Sequence, residues 1–253
     1  MKQIFLFFIL LLVTQSSFAD CSSQSLWAFP KGDKIYQNSW IVLEGYGRLE
    51  AIIPELNKEY PVFLESATHK VPLTIKETHK GQMSIKQAIL QHNEKLIVGE
   101  KYFLKIENLP KPNRGNELER YNYEDSKSEP IAWTVLEGSD TEMPKLIKKP
   151  TLVDKQYIQY GCGPEEFAVF EFEVEDESEL LIETELVDLT TDEKTSYFLT
   201  TFYRESNKVS VGHGMCSGAF KYLSDGNYQV RFKFYDASGN TTGWLPPMIY
   251  NIP

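Results

Sequence analysis

Long apolar runs are scarce in this chain. Past its first thirteen residues, nothing approaches the roughly 20 consecutive apolar residues that a membrane-crossing helix needs. Basic charge is short as well: 26 Lys and Arg stand against 36 Asp and Glu, a formal net charge of −10. That imbalance disfavours nucleic acid and anionic membrane surfaces, which dock on basic patches. With only 3 cysteines, one intramolecular bridge can form and one thiol is left over. Alanine is sparse while aromatics reach 13% of the residues, a balance that favours sheet over helix.

What the chain does have begins at its first residue. Met1 and Lys2 precede an apolar run, Ile4 to Val13, of the length of a signal-peptide core and too short to span a bilayer. Ser17-Phe18-Ala19 carries small residues at the positions a signal peptidase reads, so residues 1–19 are expected to be removed after Ala19. Loss of Lys2 with that leader takes the net charge to −11. The expected location is therefore periplasmic, cell-surface or secreted. Cys21, two residues past the cut, is either a free thiol or a lipidation site. Asp20 argues against lipidation, because a lipidated cysteine follows a small residue, and only lipidation would bring the protein to a membrane.

Residues 20–137 read as one all-β unit. Short apolar strands fit Trp40 to Leu43, Val62 to Leu64 and Val71 to Lys76, with Pro61 and Pro72 marking strand starts or edges. Met83, Ile85, Gln87 and Ile89 share one parity of a further strand, and Tyr102, Leu104 and Ile106 share one parity of another. Between Pro110 and Pro130 the chain turns polar, and Arg114, Tyr121 and Tyr123 make this long loop a candidate binding surface. A closing strand is expected at Ile131 to Leu136. Residues 138–150, with glycine, prolines and charge, read as a linker.

Residues 151–253 alternate more plainly. Phe170, Phe172 and Val174 interleave with Glu171, Glu173 and Glu175, and Tyr228, Val230, Phe232 and Phe234 interleave with Gln229, Arg231 and Lys233. Each apolar face must meet a second sheet. Strands also fit Leu180 to Leu189, Ser196 to Tyr203 and Lys208 to Val211. The run Asp225-Gly226-Asn227-Tyr228 with its following strand, and Asp236 to Asn240 after it, resembles the end of Ig-like and fibronectin-III-like modules. The pattern carried by Pro30, Gly32, Leu96, Gly99 and Tyr102 resembles bacterial Ig-like domains of exported proteins. The resemblance implies two tandem Ig-like antiparallel β-sandwiches, with Tyr228 as a corner tyrosine. It also implies a pairing of Cys162 with Cys216 across loops at one end of the second sandwich, worth about 4 kcal/mol in the loop-entropy account. Cys21 would then be the odd cysteine.

No convincing catalytic constellation emerges. His69, His79 and His92 could together hold a metal, but their spacing matches no ligand pattern, and His69 and His79 sit beside Lys70 and Lys80. Gly212-His213-Gly214-Met215-Cys216-Ser217-Gly218 gathers a histidine, a cysteine and a serine, yet reads best as a glycine-rich loop. Asp236, Ser238 and Asn240 alternate as calcium ligands do, without a further acidic residue nearby in sequence, so a hairpin turn is expected. The expectation is a non-enzymatic binding or structural module, without cofactor or metal, that meets proteins or other envelope components. An exported enzyme, or a metal carrier built on the three histidines, is the alternative.

Overall fold

The computed structural model describes residues 24–110, 118–122, 126–201, 207–222 and 226–252. The predicted leader, Cys21, Arg114 and Tyr123 lie outside them. The chain is all-β. In the N-terminal half the strands are β1 (Ser25–Phe29), β2 (Lys34–Ile35), β3 (Ile41–Tyr46), β4 (Val62–Glu65), β5 (Lys70–Lys80), β6 (Ile85–His92), β7 (Lys101–Ile106), β8 (Glu119–Asn122), β9 (Lys127–Pro130) and β10 (Ala132–Val135). The C-terminal half holds β11 (Lys145–Tyr160), β12 (Gly163–Glu175), β13 (Leu181–Asp188), β14 (Lys194–Thr200), β15 (Lys208–His213), β16 (Asn227–Tyr235) and β17 (Met248–Asn251).

In the N-terminal half the order β1-β3-β6-β5-β4-β7-β10-β2 forms one continuous sheet that folds back on itself. Strand β5 makes the fold: its first residues pair with β4, its remainder with β6, and a bulge interrupts it between Ile75 and Glu77. Leu26, Leu43, Ala88 and Leu90 from one end of the sheet thereby meet Leu64, Tyr102, Leu104 and Trp133 from the other in a single core. The period-two pattern made this legible, because an apolar parity must find a second sheet. A 3-10 helix, Gly47–Glu55, closes one end with buried Leu49, Ile52 and Ile53. Its three-residue turn left no period in the sequence long enough to notice.

The C-terminal half pairs a sheet β11-β12-β15 with a sheet β14-β13-β16-β17, the layer arrangement of Ig-like and fibronectin-III-like sandwiches. Phe170 and Phe172 of one sheet meet Phe232 and Phe234 of the other with ring centroids 5.1 and 4.7 Å apart. The expected strands are present, with shifted ends. Lys145 to Pro150 of the anticipated linker already belong to β11, whose ladder to β12 begins at the Lys145–Glu175 pair. Strand β11 is an edge, exposed over most of its length, and Lys145, Lys148, Lys149 and Lys155 stud it as edge strands are commonly protected.

The two halves are packed together. In β6, Ala88 and Leu90 face the N-terminal core, while Ile85 and Ile89 face the other way and are buried all the same. Phe29, Trp40, Val42 and Ile89 meet Leu181, Phe198, Tyr235 and Ala237 in a separate apolar cluster drawn from both halves. Backbone bonds seal its ends: Trp40 N–H donates to Ala237 O at 2.7 Å, and Met83 and Gly218 exchange two bonds at 3.0 and 2.9 Å. Burial of one large side chain such as Phe198 contributes roughly 1.5–3 kcal/mol, so the cluster resists separation of the halves.

Gly239 tests this packing. Its φ is +91°, and a β-carbon there would stand 2.1 Å from the Trp40 ring, whereas Gly99, at φ +79°, has open space around it. Gly239→Ala is expected to cost at least about 2–3 kcal/mol in denaturant unfolding, and Gly99→Ala about 1 kcal/mol from backbone strain alone. Equal losses in the two variants would show that the Trp40 contact does not matter.

Candidate functional site

Antiparallel alternation lays the outward side chains of β1, β3 and β6 in rows. Register places Phe29, Val42 and Ile89 in one row, Trp27, Glu44 and Gln87 in the next, and Ser25, Tyr46 and Ile85 in a third. The first row is buried under the C-terminal half, with Phe29 and Val42 reaching the edge of a cleft of about 710 Å³ between the halves, which the second row and Ile85 of the third also line. Its opposite wall comes from Leu181, Tyr197 and Phe198 and from the loop Gly212 to Ala219, and Tyr121 of β8 borders it. The volume lies within the range of small-molecule sites, roughly 300–1,000 Å³.

Glu44 is the chemical centre of this floor. Tyr197 donates its hydroxyl hydrogen to Glu44 Oε2 at 2.9 Å, and Gln87 Nε2 donates to the same oxygen at 3.4 Å. Burial pushes the carboxyl up to about 7, against the opposing pull of those two donors and of the Lys31 charge. The Tyr197 hydroxyl is driven far up in turn, by burial first and then by the neighbouring Glu44 charge. Gln87, 1% exposed, is fully engaged: its Nε2 also donates to Phe198 O at 3.1 Å, and its Oε1 accepts from Phe198 N–H at 2.8 Å. His79, beside Gln87 in the register, sets its ring edge-on to Phe198 at 5.1 Å and contacts Ser196 O through Nδ1.

Two cations stand at the rim, and both are occupied. Lys31 Nζ donates to Thr200 Oγ1 at 2.9 Å and to Thr201 O at 3.0 Å. Its pKa is lowered by burial, with Glu179 and Glu44 opposing. Arg120 on β8 donates to the carbonyls of Pro30, Lys31 and Gly32, tying the β8–β9 hairpin to the β1–β2 connection. The glycine-rich loop is a wall set by close packing. A β-carbon on Gly212 would lie 2.0 Å from Glu166 O, and one on Gly218 2.2 Å from His213 Cβ. His213 is buried against Glu166 at 3.5 Å, and its Nδ1 contacts Gly214 O.

The expected site residues fare unevenly. Tyr121 lies at the cleft, in a two-stranded hairpin within the segment anticipated as a loop. The Cys162–Cys216 bridge is corrected: Cys162, at the turn between β11 and β12, is a free thiol. The histidines do not converge. His69 contacts Thr68 Oγ1, His92 contacts Glu94 O, and His79, although next to Lys80, belongs to the interface. The turn at Asp236 is as expected, with Oδ1 accepting from Ser238 and Asn240 N–H at 2.8 Å each. Acidic company denied to Asp236 by the sequence arrives in space, however. Carboxylate oxygens of Asp140, Asp176 and Asp236 lie within 4.8 Å of one another. Burial, and secondarily the Asp140 charge, raise the pKa of Asp176 and Asp236. Glu44 and Tyr197 were missed. The one signal was an acid on the Val42 parity of an otherwise apolar strand, IVLEGY.

No family model and no curated protein sequence matches the chain. Solved structures match in fold alone. A two-domain fibronectin type-III segment of chicken tenascin is 10% identical at a TM-score of 0.22, covering 90% of this chain and 98% of that one. A pullulanase from Anoxybacillus sp. LM18-11 is 11% identical at 0.24, over 83% of this chain. Latent PorU from Porphyromonas gingivalis is 13% identical at 0.30, over 90% of this chain. The chain spans only 24% of that pullulanase and 20% of PorU.

Two outcomes follow from the site. A carboxyl raised from 4.5 to about 7 favours the fold while protonated, so its contribution is complete below pH 4.5 and lost as pH rises through 7. The loss is at most about 3 kcal/mol. Thermal unfolding of the native chain is expected to fall between pH 5 and 7 more steeply than that of Glu44→Gln, and parallel curves would refute this role for Glu44. Separately, one equivalent of iodoacetamide without reductant should mark the native protein at Cys162, and peptide mapping that finds Cys162 unmodified would contradict a free thiol there.

Proposed function

We propose that this chain is an exported, non-catalytic binding module. In this reading two Ig-like sandwiches, residues 20–137 and 151–253, act as one rigid body and take a small ligand in the cleft between them. The observation that carries the reading is the cleft itself, mostly apolar, with a few convergent polar groups contributed by both halves. Among the described residues its lining contains neither histidine nor cysteine, which favours binding over nucleophilic chemistry. Excess negative charge supports a partner other than nucleic acid.

Cysteine usage supports export. Cys216 is disulfide-bonded while Cys162 is free, and the chain has 3 cysteines, so the intramolecular partner left for Cys216 is Cys21. Cys21 lies four residue steps before Ser25 at the start of β1. They can span roughly 13 Å. Leu26 and Trp27 share the cleft lining with Ser217, next to Cys216. Such a bridge belongs to an oxidising compartment and would leave Cys21 no sulfur for a lipid.

Ligand binding is checked by thermal shift against a small-molecule library, with Ser210→Trp, which fills the cleft from β15, as the control. Hits are expected to raise the unfolding temperature of the native chain and not of the variant. A shift that persists in Ser210→Trp places binding elsewhere, and turnover of any substrate by the purified protein would overturn the non-catalytic reading. Non-reducing peptide mapping should recover Cys21 linked to Cys216; recovery of Cys162 linked to Cys216 would reject that pairing.

A further inference from the structure

Resting on the cleft as a binding site, we infer that its ligand is an organic ammonium: a primary amine on an apolar body, with the nitrogen seated on Glu44. Glu44 faces the cleft, and both of its hydrogen bonds end on Oε2. Its Oε1 has no partner among the described residues. A half-buried carboxylate with no cation in contact is only partly compensated, and a ligand that brings a cation completes it. Among the described residues no cation is in ion-pair contact with Glu44: Lys31 acts on it only through space, and the hydrogen bonds of Lys31 and Arg120 go elsewhere. Lys31 Nζ is spent on Thr200 and Thr201, and Arg120 on three backbone carbonyls.

The geometry also separates one cation from another. A guanidinium binds a carboxylate best as a fork across both oxygens. Here Oε2 already accepts from Tyr197 and Gln87, so a single oxygen remains, which suits the point charge of an ammonium. Around it Val42, Ile85 and Phe198 offer apolar surface for the body of the ligand. Trp27, 51% exposed and stacked on Tyr46 at 5.9 Å, flanks the opening and supplies an optical reporter.

The test titrates the full mature chain at pH 8 with 3-phenylpropylamine, 3-phenylpropanol, 3-phenylpropionate and 3-phenylpropylguanidine, read by tryptophan fluorescence and calorimetry. The amine is expected to bind at least tenfold more tightly than the alcohol, with the propionate weakest and the guanidine behind the amine. Glu44→Gln should bring amine and alcohol within about twofold of each other. Tyr197→Phe, which relieves Oε2 of its closer donor, should narrow the gap between guanidine and amine and serves if Glu44→Gln does not fold. Equal binding of amine and alcohol by the native chain, or an unchanged amine preference in Glu44→Gln, overturns the ammonium assignment while the cleft stands. So does an unchanged guanidine-to-amine ratio in Tyr197→Phe. Failure of all four compounds to bind overturns the assignment together with the cleft reading.

Discussion

Strand β14 is an edge of its sheet, and its Phe198 peptide finds its partner in the side chain of Gln87 on β6 rather than in another strand. The amide donates to the carbonyl and accepts from the N–H, as a neighbouring strand would. An edge that would otherwise invite foreign strands is thus closed by the other half of the same chain. Because the two bonds are directional and lie beneath Phe198, they fix how far β14 slides along β6. Much of the junction takes its position from that register: the ring of His79 against Phe198, and the hydroxyl of Tyr197 over Glu44.

Burial along the junction has an electrostatic consequence. The halves meet over acidic groups at two places, Glu44 at the cleft and Asp176 with Asp236 where β13 and β16 approach the connection between the halves. At each, desolvation is the leading cause of a raised pKa, and donors only moderate it. The arrangements differ in how they are satisfied. Asp236 takes donors from its own turn through both of its oxygens, a local solution. Glu44 takes its donors from β6 and from β14 of the opposite half, and one oxygen is left facing space. A carboxyl satisfied by its own turn holds a loop, whereas one half satisfied across an interface can receive something.

Much of the fold was legible in particular residues. Phe170, Phe172 and Val174 against three glutamates, and Tyr228 to Phe234 against polar neighbours, could only be strands with one wet face and one dry. The parity of Ile85, Gln87 and Ile89 was legible too, but its meaning was not. An apolar parity reports burial, not what buries it, and Ala88 and Leu90 on the other parity are buried as deeply by a different core. The β8–β9 hairpin and the 3-10 helix escaped because neither runs long enough to show a period. The cysteines escaped for another reason: a plausible loop topology brought Cys162 toward Cys216, and proximity of loops does not decide which sulfurs bond.

The sequence by itself determined an all-β chain with apolar parities demanding opposed sheets, an acidic surface, and a leader-like start, because composition and period-two alternation are local properties that survive without coordinates. Only the tertiary structure decided that a third apolar cluster joins the two halves, that Gln87 completes the edge of β14, and that Glu44 meets Tyr197 from 153 residues away. Those depend on register and on the angle between sheets, which arise from the fit of whole faces and leave no mark at any single position.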